Sequence, residues 1–389
     1  MKVEFVSLFP TLRFPGFESQ SEVFELGKIT NVIDCKHRTP EYVEEGVPIV
    51  SPGSIEWGEI DLVSPTKRVT EGEYESLMDH CEPSVGDLVL SRNQSLGIAS
   101  HIASNEKFVL GQDTVLIKQK NGNGMLIFHR LQTAGTQNII SRLSGGSTFS
   151  RINLKDIRLL PLPLPTEEKE QQKIADFLTA VDGRIGQLIQ KKAWLTDYKK
   201  GVMQQLFTQA IRFKDNRGND FPDWEEKKLG EIARAYQPQT LAQTQFREGG
   251  EYPVYGANGL IGYHDEYNHD EEQVTVACRG TCGKVNMIPE RSWINGNAMV
   301  IALKPRSSTT KAFVYYALSS SDLRYLITGS SQPQITGDIK FHNIALPAPD
   351  EQTKIADFLS AIDRKIESVA TQITETQTFK RGLLQQMFV

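Results

Sequence analysis

The stretch EQQKIADFLTAVDGRI, beginning at Glu170, returns as EQTKIADFLSAIDRKI, beginning at Glu351. The two copies align without a gap from Glu170–Phe207 to Glu351–Phe388, and about 16 of 38 positions are identical. In the first copy apolar residues fall at Ile174, Leu178, Val181, Ile185, Leu188, Leu195, Val202 and Leu206; in the second at Ile355, Leu359, Ile362, Ile366, Val369, Ile373, Leu383 and Met387. Steps of four and three are the spacing of a coiled-coil seam. Lys192 and Lys199 fall on the first seam, Thr376 and Lys380 on the second, where a polar residue either loosens the packing or sets its register. Gly201 and Gly382 are candidate bends. Pro-rich stretches, LPLPLPTEE and LPAPDEQ, lead into the helices, with Thr166 and Asp350 as candidate caps. A helix of this length extends about 57 Å and cannot leave an apolar stripe wet, so the two seams are expected to face each other. Unrelated amphipathic helices would not match without a gap over five heptads, and homodimerisation through one helix would leave the duplication unexplained.

The duplication extends beyond the helices. The first unit opens with LRFPGFESQSEVFELGKI and the second with IRFKDNRGNDFPDWEEKKLGEI, sharing Arg-Phe, Phe-Pro and Leu-Gly-x-Ile. Both close alike, with GGSTFSRINLKDIRLLPLPLP and SSQPQITGDIKFHNIALPAP. Between lie short strand-like runs, DLVLS and TVLIK in one and QVTVAC and AMVIALK in the other, and a helical pattern in KAFVYYALSSSDLRYLI. The middles align poorly. Each unit therefore reads as an α+β domain with a mixed or antiparallel sheet, in a chain of 389 residues that is long enough for two. Matched frames carrying unlike middles point to two recognition surfaces held at a fixed distance.

Charge narrows the function classes. The net charge is −5, but it runs about −6 over residues 1–149, about +5 over 150–214 and about −4 over the remainder. The basic excess surrounds the first helix. No apolar run is long enough to cross a bilayer, and MKVEFVSLFP carries Glu4 within its only apolar stretch, so a cytoplasmic protein is expected. Four cysteines do not make a disulfide framework. Cys278 and Cys282 with His264 and His269 lack zinc-site spacing and read as buried thiols. GTCGKV lacks the upstream glycine and the hydroxyl after Lys284 that a phosphate loop needs. The acidic residues and Lys227 of PDWEEK belong to the duplicated opening rather than to a nuclease. No metal site is expected, and no catalytic residue.

The layout closely resembles the specificity subunit of type I restriction-modification systems over nearly the whole length. The resemblance rests on FPDWEEKKLGEI, the EQQKIADFL and EQTKIADFL helix starts, the KKGVMQQLF and KRGLLQQMF helix ends, and YPVYGANGLIGY; Val23-Phe24 departs from the Trp-Glu pattern of Trp224-Glu225. It implies two α+β target recognition domains, residues 1–160 and 211–345, separated by two long helices, residues 161–210 and 346–389, packed as an antiparallel coiled coil. It further implies that each domain reads half of a bipartite double-stranded DNA site, that the helices set the spacer, and that they dock two modification subunits, with restriction subunits able to join. S-adenosylmethionine, ATP and Mg are then expected on those partners and no cofactor in this chain, which has no Asn-Pro-Pro-aromatic run and no glycine-rich cofactor loop after a strand. The alternative is a two-fold duplicated enzyme with a site between its halves.

Bases are read in the major groove by Arg or Lys on guanine and Asn or Gln on adenine. Candidate clusters in the first domain are Lys36, His37 and Arg38, and Arg92, Asn93 and Gln94. In the second they are Tyr255, Asn258 and Tyr263; Arg279, Thr281 and Lys284; and Gln332 with Gln334. Each is equally compatible with an ordinary solvated turn.

Overall fold

The computed structural model describes residues 8–65, 67–144, 150–305 and 307–389; Glu4 and the residues 145–149 that begin the first closing motif lie outside them. Contacts divide the chain into one unit of Met1–Gln190 with Ala370–Val389 and another of Lys191–Val369. These bounds differ from the expected 160, 210 and 345, because each unit owns a segment of both long helices.

In the first unit a five-stranded sheet runs in the order Thr30–Asp34, Thr114–Gln119, Leu88–Ser91, Ala99–His101, Gly58–Glu59. In the second a four-stranded sheet runs Ala233–Tyr236, Ala298–Leu303, Gln273–Ala277, Val285–Ile288. The interior strands Leu88–Ser91, Thr114–Gln119, Gln273–Ala277 and Ala298–Leu303 are the apolar runs the sequence marks, and their burial on both faces explains why those runs do not alternate; the interior strand Ala99–His101 is not among them. A three-stranded sheet accompanies each, built on Val47–Val50 in one unit and Tyr252–Gly256 in the other.

The shared motifs form the same frame twice. Glu22–Glu25 pairs antiparallel with Pro161–Leu164, and Glu225–Lys228 with Asn343–Leu346, so the strand opening each unit is bonded to the strand leading into its long helix. Leu-Gly-x-Ile is a single helical turn in both, Leu26–Ile29 and Leu229–Ile232. A Cβ on Gly27 would lie 3.0 Å from the Cβ of Arg158, and one on Gly230 3.0 Å from the Lys340 carbonyl oxygen, so the closing segment's approach sets the glycine.

The first long helix is Glu168–Phe207 and the second Pro349–Met387. Both continue as helix through Gly201 and Gly382. Thr166 lies two positions ahead of the first helix, and Asp350 sits inside the first turn of the second, where a negative charge suits the helix dipole. The Arg-Phe motif clamps the start of each. Arg13 Nε and Nη2 donate to the two carboxylate oxygens of Glu170 at 2.6 and 2.7 Å, and Nη2 also reaches the Ser19 carbonyl. Arg212 makes the same fork to Glu351 at 3.1 and 2.8 Å and reaches the Pro222 carbonyl. Phe14 packs edge-on against Phe177, and Phe213 against Phe358. Glu170 and Glu351 are 1% and 0% exposed.

The helices pack against each other antiparallel. Ile174, Leu178 and Leu188 of the first seam are buried, as are Ile355, Leu359, Ile362 and Val369 of the second, while Val181, Ile185 and Ile366 are half-buried. In the first unit Ile174 and Leu178 share a core with Leu383, Leu384 and Met387. There Lys380 Nζ binds Asp182 at 2.6 Å and Gln132 Oε1 at 2.6 Å. In the second unit Lys199 Nζ binds Asp363 at 2.6 Å. Lys199 and Lys380 occupy one position of the repeat, as do Asp182 and Asp363, so these two lysines set register. A helix of the globular part completes each site. Tyr316 donates to Asp363 at 2.7 Å and bonds Ser360, and His129 Nε2 meets Thr179 Oγ1 at 3.2 Å.

His129 is fully buried. Its Nδ1 lies 3.8 Å from Asp182, but that carboxylate is engaged by Lys380 and the contact does not stabilise an imidazolium. Burial first, then Lys380, pushes the His129 pKa down to about 3 from 6.5. The unfolded chain therefore takes up this proton first as pH falls, and stability present above pH 6.5 is lost towards pH 3. Between pH 6.5 and 5 the wild type should lose roughly 2 kcal/mol more than His129→Gln in denaturant unfolding; parallel curves would refute the assignment.

Removing a clamp arginine leaves a buried carboxylate uncompensated, which costs about 3–5 kcal/mol. Glu351 also accepts from Trp224 Nε1 at 3.2 Å, whereas the matching place in the first unit, one residue ahead of the opening strand, is held by Ser21, and no hydrogen bond from Ser21 to Glu170 is present among the described residues. Arg13→Ala should therefore lower thermal stability more than Arg212→Ala, and Arg13→Ala combined with Glu170→Gln should recover part of the loss.

Candidate nucleic-acid interface

The two candidate clusters SRNQS and CRGTCGK turn out to be one loop built twice. Each follows an interior strand, Leu88–Ser91 or Gln273–Ala277. Arg92 N donates to the Asp113 carbonyl at 2.8 Å, and Cys278 N to the Asn297 carbonyl at 3.0 Å. Gly97 N returns to Ser91 O, and Gly283 N to Ala277 O, both at 2.9 Å. Ile152 N caps Arg92 O, and Ile335 N caps Cys278 O, both at 3.0 Å. Positive φ recurs at matched positions: Gln94 (49°) with Gly280 (74°), and Gly97 (72°) with Gly283 (89°). Sequence comparison misses this because matched residues differ in chemistry while the backbone keeps one path.

At the first loop position the side chain points inward in both units. Arg92 is 5% exposed and donates to both oxygens of Asp34, at 2.8 and 3.0 Å, and to the Ile152 carbonyl. Cys278 is fully buried, and its sulfur accepts from Gln237 Nε2 at 3.2 Å. Arg92, expected among the base readers, is placed by the structure as an internal brace between Asp34 and Ile152. Asn93 is also engaged, donating to Asp113 Oδ2 at 2.6 Å, and Arg151 binds the same carboxylate at 2.6 Å. Gln94 is exposed, and no hydrogen bond to its side chain is present among the described residues.

In the second unit the loop touches the turn after Tyr252–Gly256. Thr281 donates to Asn258 Oδ1, and Lys284 Nζ donates to the Asn258 carbonyl at 3.0 Å. Three expected residues are thus brought together. Arg279 stands exposed beside them; its backbone bridges to Gln334, and no hydrogen-bond or ion-pair partner for its guanidinium is present among the described residues. Gln332 is exposed and Gln334 half-buried in a two-residue strand. Tyr263 is exposed on Gly259–His264, while Tyr255 is half-buried, and burial raises its pKa.

The Lys36, His37 and Arg38 cluster is compensated locally. Lys36 binds Asp79 at 2.7 Å and Arg38 forks onto Glu73, holding both carboxyls below their ordinary range. His37 lies 3.1 Å from Asp34. Glu73 and Asp79 sit in and just after the helix Glu71–Met78, far along the chain, which is why the sequence presents the cluster as free positive charge. Donor atoms of Asp34, Cys35 and His37 lie within 4.8 Å of one another, but the Arg92 guanidinium already occupies both Asp34 oxygens, the arrangement of an ion pair rather than of a cation site. Cys278 and Cys282 likewise engage protein groups, Cys282 through the Pro333 carbonyl at 3.1 Å.

Residues 18–195 and 222–377 match the profile of the family described as Type I restriction modification DNA specificity domain. The putative type I restriction enzyme MjaX specificity subunit of Methanocaldococcus jannaschii is 25% identical over 398 residues, covering 93% of this chain and 91% of its own. The type I restriction enzyme MjaVIII specificity subunit of the same organism is 24% identical over 325 residues, covering 74% of this chain and 75% of its own. Among solved structures, the type I restriction-modification S subunit from M. genitalium has the same fold, with a TM-score of 0.66 at 16% identity over 98% of this chain and 99% of that one.

Replacing Arg92 by Leu should destabilise the first unit by about 1–3 kcal/mol, because Asp34 loses its partner. Thermal unfolding checks this; an unchanged midpoint would show that the brace is dispensable.

Proposed function

Because the chain belongs to the family of type I restriction-modification DNA specificity domains, we propose that each of its units reads one half of a bipartite DNA target while the helix pair sets the spacer. The carrying observation is a frame repeated down to its clamp, strand pair and loop backbone, with unlike side chains on the loop. Such a design varies what is read without varying how it is held. The chain carries out no chemistry in this reading: two modification subunits dock on the helices, bring S-adenosylmethionine and methylate adenine, and restriction subunits with ATP and Mg can join. Tyr198 and Phe379 occupy one position of the repeat and are 53% and 56% exposed, with Trp194 at 63%; we assign them as anchors for those partners. Partner-supplied phosphate contacts would account for a reader whose own charge is negative. Among the described residues no helix is long and apolar enough to cross a membrane, consistent with work on DNA in the cytoplasm.

Methylome sequencing of the host with and without the gene tests this reading, with a split motif expected to disappear on deletion. Inserting seven residues after Gln190 and seven before Ala370, so that both helices lengthen in step, should extend the unread spacer by about 3 base pairs with both half-motifs intact. An unchanged spacer would sink the ruler. Methyl transfer by the purified chain alone would favour a duplicated enzyme instead.

A further inference from the structure

The paired loops narrow the base readers further than the family does. In the first unit Arg92 is held by Asp34 and Asn93 by Asp113. In the second Cys278 is buried, and Thr281 and Lys284 are tied to Asn258. One long polar side chain in each loop, Gln94 or Arg279, is exposed without a hydrogen-bond partner among the described residues. Gln94 lines a cleft of about 750 Å³ with Ser51, Trp57 and Glu59. A Cβ on Gly53, across that cleft, would meet Gln94 Oε1 at 3.2 Å, so the bare glycine makes room for the amide. Gly53 and Asn258 hold the same place after matched strands: Val50 pairs with Leu110 and Tyr255 with Ile294, both in parallel. The free group in each unit therefore projects from the same small region.

Resting on the function proposed above, we infer that Gln94 reads an adenine in the half-site of the first unit and Arg279 a guanine in the half-site of the second. A carboxamide pairs with adenine N6 and N7, and a guanidinium with guanine O6 and N7. Both groups sit on a loop closed by main-chain hydrogen bonds at matched positions, with the left-handed residue at Gln94 itself in one and directly after Arg279 in the other, and neither side chain has a partner among the described residues that it must first release. Gln94 itself adopts that conformation, which glycine adopts freely and glutamine does not. Retaining glutamine where the sister loop has Gly280 indicates that the amide serves a purpose beyond folding.

The experiment is the methylome of cells carrying the full complex with Gln94→Gly, Gln94→Asn or Arg279→Ala. Gln94→Gly installs the residue of the sister loop and suits the backbone; Gln94→Asn tolerates it and shortens the reach. Either should relax one A·T position in one half-site, with discrimination there falling about tenfold to a hundredfold. Arg279→Ala should relax one G·C position in the other half-site by a similar factor, and the spacer should not change. Thermal unfolding of each variant separates loss of reading from loss of fold. A motif unchanged by the Gln94 variants or by Arg279→Ala overturns the inference, as does uniform weakening with the motif intact, which would mark a phosphate contact. A wild-type complex that methylates no split motif would instead overturn the functional reading, and this inference with it.

Discussion

A carboxylate taken out of water at the start of each long helix governs what surrounds it. Glu170 and Glu351 are almost wholly buried, and a bare charge there would cost several kcal/mol. The forked arginine that compensates each one also grips a backbone carbonyl, of Ser19 or Pro222. That grip fixes the chain just ahead of the opening strand, which in turn pairs with the strand entering the helix. The clamp thus joins the beginning of a unit to its end. In the second unit Ile211 N bonds Gln205 O, so the clamp arginine follows directly from the end of the first long helix. In the first unit Leu12 N bonds Gln386 O, the matched residue of the second helix. The early chain meets the end of that helix as though it were its continuation, so the same local structure is built once by covalent sequence and once by non-covalent docking.

Register within the helix pair depends on a second, half-buried charge pair. Apolar side chains at three- and four-residue spacing pack almost as well after a slip of one heptad; a lysine that must find an aspartate does not. Lys199 with Asp363 and Lys380 with Asp182 recur at matched positions, so each unit fixes the alignment for itself. Tyr316 satisfies the site in one unit and Gln132, with His129 nearby, in the other. The polar contact is kept although its partners from the globular part have diverged, which places the constraint on the helices.

Most of this frame was legible in the sequence because it is encoded contiguously. The repeat, the seam, the Leu-Gly-x-Ile turn and the interior strands each occupy one unbroken stretch whose periodicity or identity survives comparison. The clamp was visible only as an unexplained shared Arg-Phe, since Arg13 and Glu170 lie 157 positions apart. The interface was harder. Arg92 and Cys278 fill equivalent inward positions with unrelated chemistry, so alignment could not pair them or show that Arg92 points inward. Lys36 and Arg38 looked free because Asp79 and Glu73 are 43 and 35 residues away. Arg151 shares Asp113 with Asn93 across 38 positions of chain, a pairing that no contiguous pattern encodes.

Comparison between sister loops carries more information than either loop alone. A left-handed glutamine costs about 1 kcal/mol or more relative to glycine, and seen alone it could be an accident of one sequence. Beside Gly280, on a backbone bonded in the same way, it becomes a choice made where the alternative was demonstrably compatible with the fold. The hydrogen bonds that hold these loops run through main-chain atoms and inward side chains, and neither set includes the Gln94 amide or the Arg279 guanidinium. Changing what either loop presents therefore leaves its support intact, the separation needed for one architecture to acquire a new target without refolding.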